Sequence, residues 1–169
     1  MIVISFLRNR SSTGNNKSLG DTFTPARSTG STSFLRNRST LTAGTTWHAA
    51  GLVSQLKSTQ SLTKLAAYSA RLFEELEDET GQATGYRTPG SIQVADNEQR
   101  WEEIRRGATM ADGVGVECRE ISIDEAAERF PHMRTDDLVG ALYIPRDGQT
   151  SPVDTTMALA MGAKARGAT

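Results

Sequence analysis

Hydrophobic positions divide the chain into two regimes. Through residue 40 they keep no sustained period. From Ser61 onward they recur at helix or strand spacing. Leu62, Leu65, Ala66, Leu72, Phe73 and Leu76 predict a helix over about Ser61 to Thr80, with Gly81 as its stop. Glu74, Glu75, Glu77, Asp78 and Glu79 give that helix a solvated acidic face, since consecutive positions point in different directions. Tyr86 to Ala95 reads as a strand with Ile92 and Val94 on one face and an irregular entry at Pro89-Gly90. Asp96 with Gln99 reads as a capping box opening a second helix, whose stripe is Trp101, Ile104 and Ala108 and which ends near Asp112-Gly113. Val114 to Ile121 is a short strand carrying Cys118. Ser122 with Glu125 caps a third helix that stops at Pro131, leaving His132 on a surface loop. Leu138 to Ile144 is an apolar strand, and Arg146-Asp147-Gly148 turns the chain. Ser151, Pro152 and Asp154 open a last helix with Met157, Leu159, Ala160, Met161 and Ala163 on its apolar side.

Helices and strands therefore alternate, and the class is α/β, mixed with α+β. Three short strands and four helices make a thin core, and a last helix would ordinarily lead into another strand. The expectation is a fragment of a larger domain. Gly113-Val114-Gly115 follows a helix and precedes a strand, the reverse of a dinucleotide-binding turn, and is rejected as one.

Charge sharpens the division. Through Lys64, eight basic residues stand against one acid, Asp21; the rest carries 11 basic against 19 acidic residues. Residues 1–38 are basic, rich in Ser and Thr, and expected to be disordered. They fit a transit peptide and fit an unfolded or misassigned leader equally well. Ser5-Phe6-Leu7-Arg8-Asn9-Arg10-Ser11 recurs as Ser33-Phe34-Leu35-Arg36-Asn37-Arg38-Ser39. Two copies do not make a solenoid, and a low-complexity tail or a faulty gene reading accounts for them more simply. A net charge of −1 argues against nucleic acid as the main partner. No apolar run approaches a membrane span. The single Cys118 excludes an internal disulfide framework and suits a reducing compartment.

The concentrated chemical signal is the small, uncharged stretch from Leu41 to Val53, with His48 beside Trp47. Gly44 and Gly51, around the Thr45-Thr46 hydroxyls, would let backbone N–H groups approach a phosphate or a ring. His48 could serve as base, ligand or nucleophile. A buried turn with a satisfied histidine is the other reading of the same residues. Two histidines and one cysteine, far apart, have no metal-ligand spacing. There is no G-x-S-x-G to give His48 a serine partner, and no carboxylate pair can be singled out among 20 acids. No catalytic residue is assigned from the chain itself.

The run Thr42-Ala43-Gly44-Thr45-Thr46-Trp47-His48-Ala49-Ala50-Gly51-Leu52 closely resembles the flavin-attachment segment of the dimethylglycine and sarcosine dehydrogenases, which are D-amino-acid-oxidase-like FAD-dependent oxidoreductases. Later blocks resemble the same family in order: Glu74 to Glu77 with Glu79 to Gln82, Gly85 to Ile92, Leu138 to Tyr143, Asp147-Gly148, and Ser151-Pro152 followed by Met157 to Ala160. The resemblance covers about Arg38 to Thr169. It implies an incomplete FAD-binding domain with part of a substrate domain: a flavin loop over 39–58, a substrate-domain segment over 59–150, and a helix returning to the FAD domain over 151–169. It implies FAD as cofactor, bonded covalently to His48 through a methyl of the flavin's benzenoid ring. Gly44, Thr45, Thr46, Trp47, Ala49, Ala50, Gly51 and Leu52 would line it.

The reaction so implied is oxidation of the N-methyl C–N bond of a small amine such as dimethylglycine or sarcosine. The resulting iminium is captured by water, or by folate in a region not found here. A mitochondrial matrix location is implied for a eukaryotic protein and a cytoplasmic one for a bacterial protein. No G-x-G-x-x-G turn precedes Ser39, and Asn37 stands where the family places an acid for the adenosine ribose. The alternative to the enzyme is a non-catalytic truncated remnant that no longer binds FAD.

Overall fold

The computed structural model describes residues 3–5 and 40–168. The expected leader over 1–38, its duplicated segment and Asn37 lie outside the described residues, except that Val3–Ser5 form a strand, β1. The remaining elements are a 3-10 turn (Thr46–His48), β2 (Leu52–Val53), α1 (Gln60–Thr80), β3 (Ser91–Ala95), α2 (Glu98–Asp112), β4 (Arg119–Ile121), α3 (Ile123–Arg129), β5 (Gly140–Ile144), β6 (Gly148–Gln149) and α4 (Pro152–Ala165). The mixed α/β class holds, with all four expected helices in place.

Four strands form one sheet in the order β1-β3-β5-β4, with β1 parallel to β3 and the other pairs antiparallel. Register sets Ile92 beside Tyr143 and Val94 beside Ala141. Strand alternation then sends these four to one face, as the pattern at Ile92 and Val94 predicts. There they pack with Ala126 of α3 and with Ile121, Ile123, Met133 and Leu138. The opposite face carries Ala95, Leu142 and Ile144 against Ile104 and Ala111 of α2 and Ala67 of α1. Trp101 lies flat on β5, where a Cβ at Gly140 would come within 2.3 Å of its ring. A second, two-stranded sheet pairs β2 with β6. Neither of these two-residue strands is readable as a period.

Caps follow local chemistry. Thr59, Ser122 and Ser151 accept from the backbone N–H groups of Leu62, Glu125 and Asp154. Gly81 closes α1 at φ 70°, a left-handed conformation that glycine adopts without strain. The cap of α2 is Asn97, which accepts from Arg100 N, and not the expected Asp96 with Gln99. Asn and Asp are equally able caps, so adjacent positions compete and the entry of the chain from β3 decides. The expected strand from Val114 contracts to Arg119–Ile121. Residues 113–115 turn instead, with Gly115 at φ 79°. Strand pairing on β3 likewise begins only at Ser91, after Gly90 at φ 80°.

Helix α1 buries only part of the expected stripe, with Leu76 buried and Ala66, Leu72 and Phe73 half-buried, and α4 buries a different face. In α1 the buried positions are Thr63, Ala67, Ala70 and Leu76, while Leu62 and Leu65 are exposed. In α4 they are Thr155, Ala158 and Gly162, while Met157, Leu159 and Met161 are exposed. These helices pack on each other. Gly162 sits where an added Cβ would lie 3.3 Å from Thr80 Cγ2. Close approach at Gly162 selects small residues on α4, so the hydrophobic count names the wrong side of that helix.

Gly107, inside α2, has no such constraint. A Cβ there would meet only Leu56, at 3.8 Å, an ordinary contact. Gly107→Ala should therefore raise stability by about 0.5–1 kcal/mol through helix propensity. Urea unfolding followed by circular dichroism checks this; a drop in midpoint would contradict the packing described.

Candidate functional site

The Leu41–Val53 segment forms an open turn tied down at its far end. Thr42 takes a left-handed conformation at φ 69°, unusual for a threonine. His48 N donates to Thr45 O at 3.1 Å and Ala49 N to Thr46 O at 3.1 Å, winding Thr46–His48 into a single 3-10 turn. That turn buries none of its residues and packs against α4. The reading of a buried turn with a satisfied histidine does not hold. Ala43, Gly44, Thr45, Trp47, His48, Ala49 and Ala50 are all exposed, Trp47 by 60%. The indole and imidazole centroids lie 3.6 Å apart with planes tilted by 31°. The indole thus covers one side of the His48 ring and the rest faces outward.

Of the expected site residues, Gly44, Thr45, Trp47, His48, Ala49, Ala50 and Leu52 are exposed, and Thr46 and Gly51 are half-buried. An added Cβ at Gly44 would meet nothing within 4 Å. Gly51 differs. Its φ is 72°, and a Cβ would lie 2.0 Å from the Thr150 carbonyl oxygen. Thr150 N in turn donates to Gly51 O at 2.8 Å. Glycine at 51 thus has a reason internal to the fold: two backbones cross there.

Beyond Gly51, β2 pairs with β6, and the chain is then held by a residue that the sequence presents as part of a turn. Asp147 is 2% exposed. Its Oδ1 accepts from Gln55 N at 2.8 Å and its Oδ2 from Ser91 Oγ at 2.5 Å. Its carbonyl accepts from Gly90 N at 3.0 Å, and Gln55 Nε2 donates to the neighbouring Arg146 carbonyl at 2.6 Å. Burial pushes the Asp147 carboxyl above its ordinary value; the Ser91 and Gln55 hydrogen bonds and the charge of Lys57 offset part of that. Asp147, Ser91 and Gln55 were missed because an Asp before a Gly after an apolar strand reads as a turn, and nothing local marks Gln55.

Cys118 is half-buried, and burial lifts its thiol to about 11, so it stays protonated at neutral pH. His132 is exposed, as expected, with Phe130 edge-on to its ring. No described helix is long and apolar enough to cross a membrane.

Comparison with known proteins bears on this geometry. Residues 34–169 match the family described as DAO, FAD dependent oxidoreductase. The chain is 42% identical over 135 residues to human mitochondrial sarcosine dehydrogenase, covering 79% of this chain and 15% of that one. It is 40% identical over 133 residues to mitochondrial dimethylglycine dehydrogenase of Rattus norvegicus, covering 79% and 16%. Among solved structures it resembles glycine oxidase from Geobacillus kaustophilus, with TM-score 0.61 and 33% identity, over 75% of this chain and 36% of that one. The chain thus spans about one sixth of the length of the two curated dehydrogenases.

Two outcomes follow from the Asp147 clamp. Asp147→Ala leaves the Gln55 N–H and the Ser91 hydroxyl without their acceptor and should cost about 2–3 kcal/mol in urea unfolding. Asp147→Asn can keep both bonds, its Oδ1 accepting from Gln55 and its Nδ2 donating to Ser91. The folded state holds the Asp147 proton more tightly than the unfolded state. Its contribution to stability is therefore greatest below the unfolded pKa of about 3.9 and is lost as pH rises through the raised folded value. Asparagine has no such loss. The stability of Asp147→Asn relative to the parent should therefore rise with pH across the acidic range. A flat difference between about pH 4 and pH 7 would contradict a raised carboxyl.

Proposed function

The chain belongs to the FAD-dependent oxidoreductase family; from that premise we propose that it contributes to oxidising the N-methyl C–N bond of a small amine, such as dimethylglycine or sarcosine, with FAD held covalently on His48. The observation that carries this reading is the outward-facing imidazole of His48 on a turn of small residues, inside the stretch matched to the family. The turn fits such a group. Gly44, Ala49 and Ala50 put no bulk around the imidazole, and Trp47 supports one side of it.

Each side chain has a plain task in this proposal. His48 offers a ring nitrogen as nucleophile. Trp47 restricts the rotation of that ring by stacking. Gly44, Thr45, Thr46, Ala49, Ala50, Gly51 and Leu52 shape the wall, and exposed backbone N–H groups beside the glycines supply donors. Asp147 and Gln55 fix where the segment leaves the site. The flavin, when bound, supplies the two-electron acceptor, which no side chain here provides.

In the same reading, 39–58 forms the flavin loop, 59–150 belongs to the substrate domain, and 151–169 returns toward the FAD domain. The mitochondrial location of the two curated dehydrogenases supports a mitochondrial location here.

The test joins this chain in cis to a dinucleotide-binding half taken from a relative. After incubation with FAD and acid precipitation, the pellet should keep flavin absorbance, and peptide mapping should put it on the peptide containing His48. His48→Ala should release all of it. Flavin retained in that variant, or mapped to another residue, would overturn the assignment.

A further inference from the structure

We propose that the cavity between the Ser54–Ser58 segment and α2 binds a monoanionic organic acid with an apolar body, a ligand separate from the flavin. The cavity has a volume of about 620 Å³, within the range that takes a drug-sized molecule. One wall is apolar, formed by Leu56, Ile104 and Met110; Lys57, Arg100 and Arg106 supply positive charge. Of the residues proposed to line the flavin, only Leu52 borders it.

The charges select the ligand. Lys57, Arg100 and Arg106 are opposed in the lining by Glu103 and Asp147, which leaves one positive charge in excess. Arg100 is already committed, with Nη1 on Glu103 Oε2 at 2.8 Å. Asp147 spends both carboxylate oxygens on Gln55 and Ser91. Among the described residues Lys57 Nζ holds only the Ser54 hydroxyl, at 2.6 Å. Arg106 forms no ion pair among the described residues. One carboxylate on Lys57 and Arg106 restores neutrality, and a guanidinium fork suits its two oxygens. A phosphate dianion would leave excess negative charge beside Glu103 and the buried Asp147.

Gly107 supports the same conclusion independently. It lines the cavity from the middle of α2, where glycine weakens a helix. The neighbouring atoms do not require it, since a Cβ would make only ordinary contact with Leu56. A missing side chain at this position keeps the cavity open.

The experiment titrates the 169-residue chain, without flavin, with 4-phenylbutyrate, its neutral amide and a phenylalkyl phosphonate, by calorimetry and saturation-transfer NMR. The carboxylate should bind saturably with Kd below about 1 mM, and the amide at least about tenfold more weakly. The phosphonate should bind no tighter than the carboxylate. Lys57→Gln and Arg106→Gln, both at exposed positions, should each weaken the carboxylate at least about tenfold with an unchanged melting curve. Gly107→Leu, which keeps the helix and fills the space, should abolish binding. Equal affinity for carboxylate and amide, or no carboxylate binding, would overturn the site even if a variant fails to fold. A tighter phosphonate would overturn the monoanion. The titration needs no flavin, so its outcome is independent of the role of His48.

Discussion

A carboxylate withdrawn from water is costly unless its oxygens find donors, and that requirement organises this molecule around Asp147. The Gln55 N–H and the Ser91 hydroxyl meet its two oxygens, and Gly90 N meets its carbonyl. These partners are 92, 56 and 57 residues away in sequence. One side chain therefore ties the segment after the His48 turn to the start of β3 and to the end of β5. Without it the β2–β6 pairing would hold the turn by two residues on each strand. The Gly51–Thr150 backbone crossing is the second fixed point, and the two bracket β2.

A second constraint is the closeness of α1 and α4. Where they meet, Gly162 of α4 lies against Thr80 of α1, and the buried face of α4 carries Thr155, Ala158 and Gly162. Small residues let the helices meet at short range, where dispersion contacts accumulate. Larger apolar residues, Leu62 and Leu65 on α1 and Met157 and Met161 on α4, are left outward. Counting hydrophobicity by size thus selects the wrong stripe on α4 and only part of the right one on α1. In the sheet it succeeds, because Ile92, Val94, Leu142 and Ile144 alternate on a surface that both faces cover.

The turn bearing His48 depends on both constraints. It rests on α4, whose position follows from the packing on α1, and it leaves toward β2, whose position follows from Asp147. Its openness comes from composition: Gly44, Ala49 and Ala50 provide nothing with which to bury it. An imidazole on an exposed turn, held by α4 and at the exit toward β2, combines access with fixed placement. The cavity under α2 shares the clamp, since Asp147 and Ser91 belong to its lining as well.

Local chemistry was legible from the residues alone. Thr59, Ser122, Ser151 and Gly81 end or begin helices through groups within three or four positions of themselves, so the sequence holds all of the physics. The Leu41–Val53 run, with its one histidine, was legible for the same reason, as were the ordered blocks that resemble the flavoenzyme family. Tertiary structure alone decided which helix faces are buried and that β2 finds β6. It also made Asp147, in the expected turn after β5, a buried clamp. Each of these depends on a partner dozens of residues away, and no short window of sequence contains both halves of such a contact.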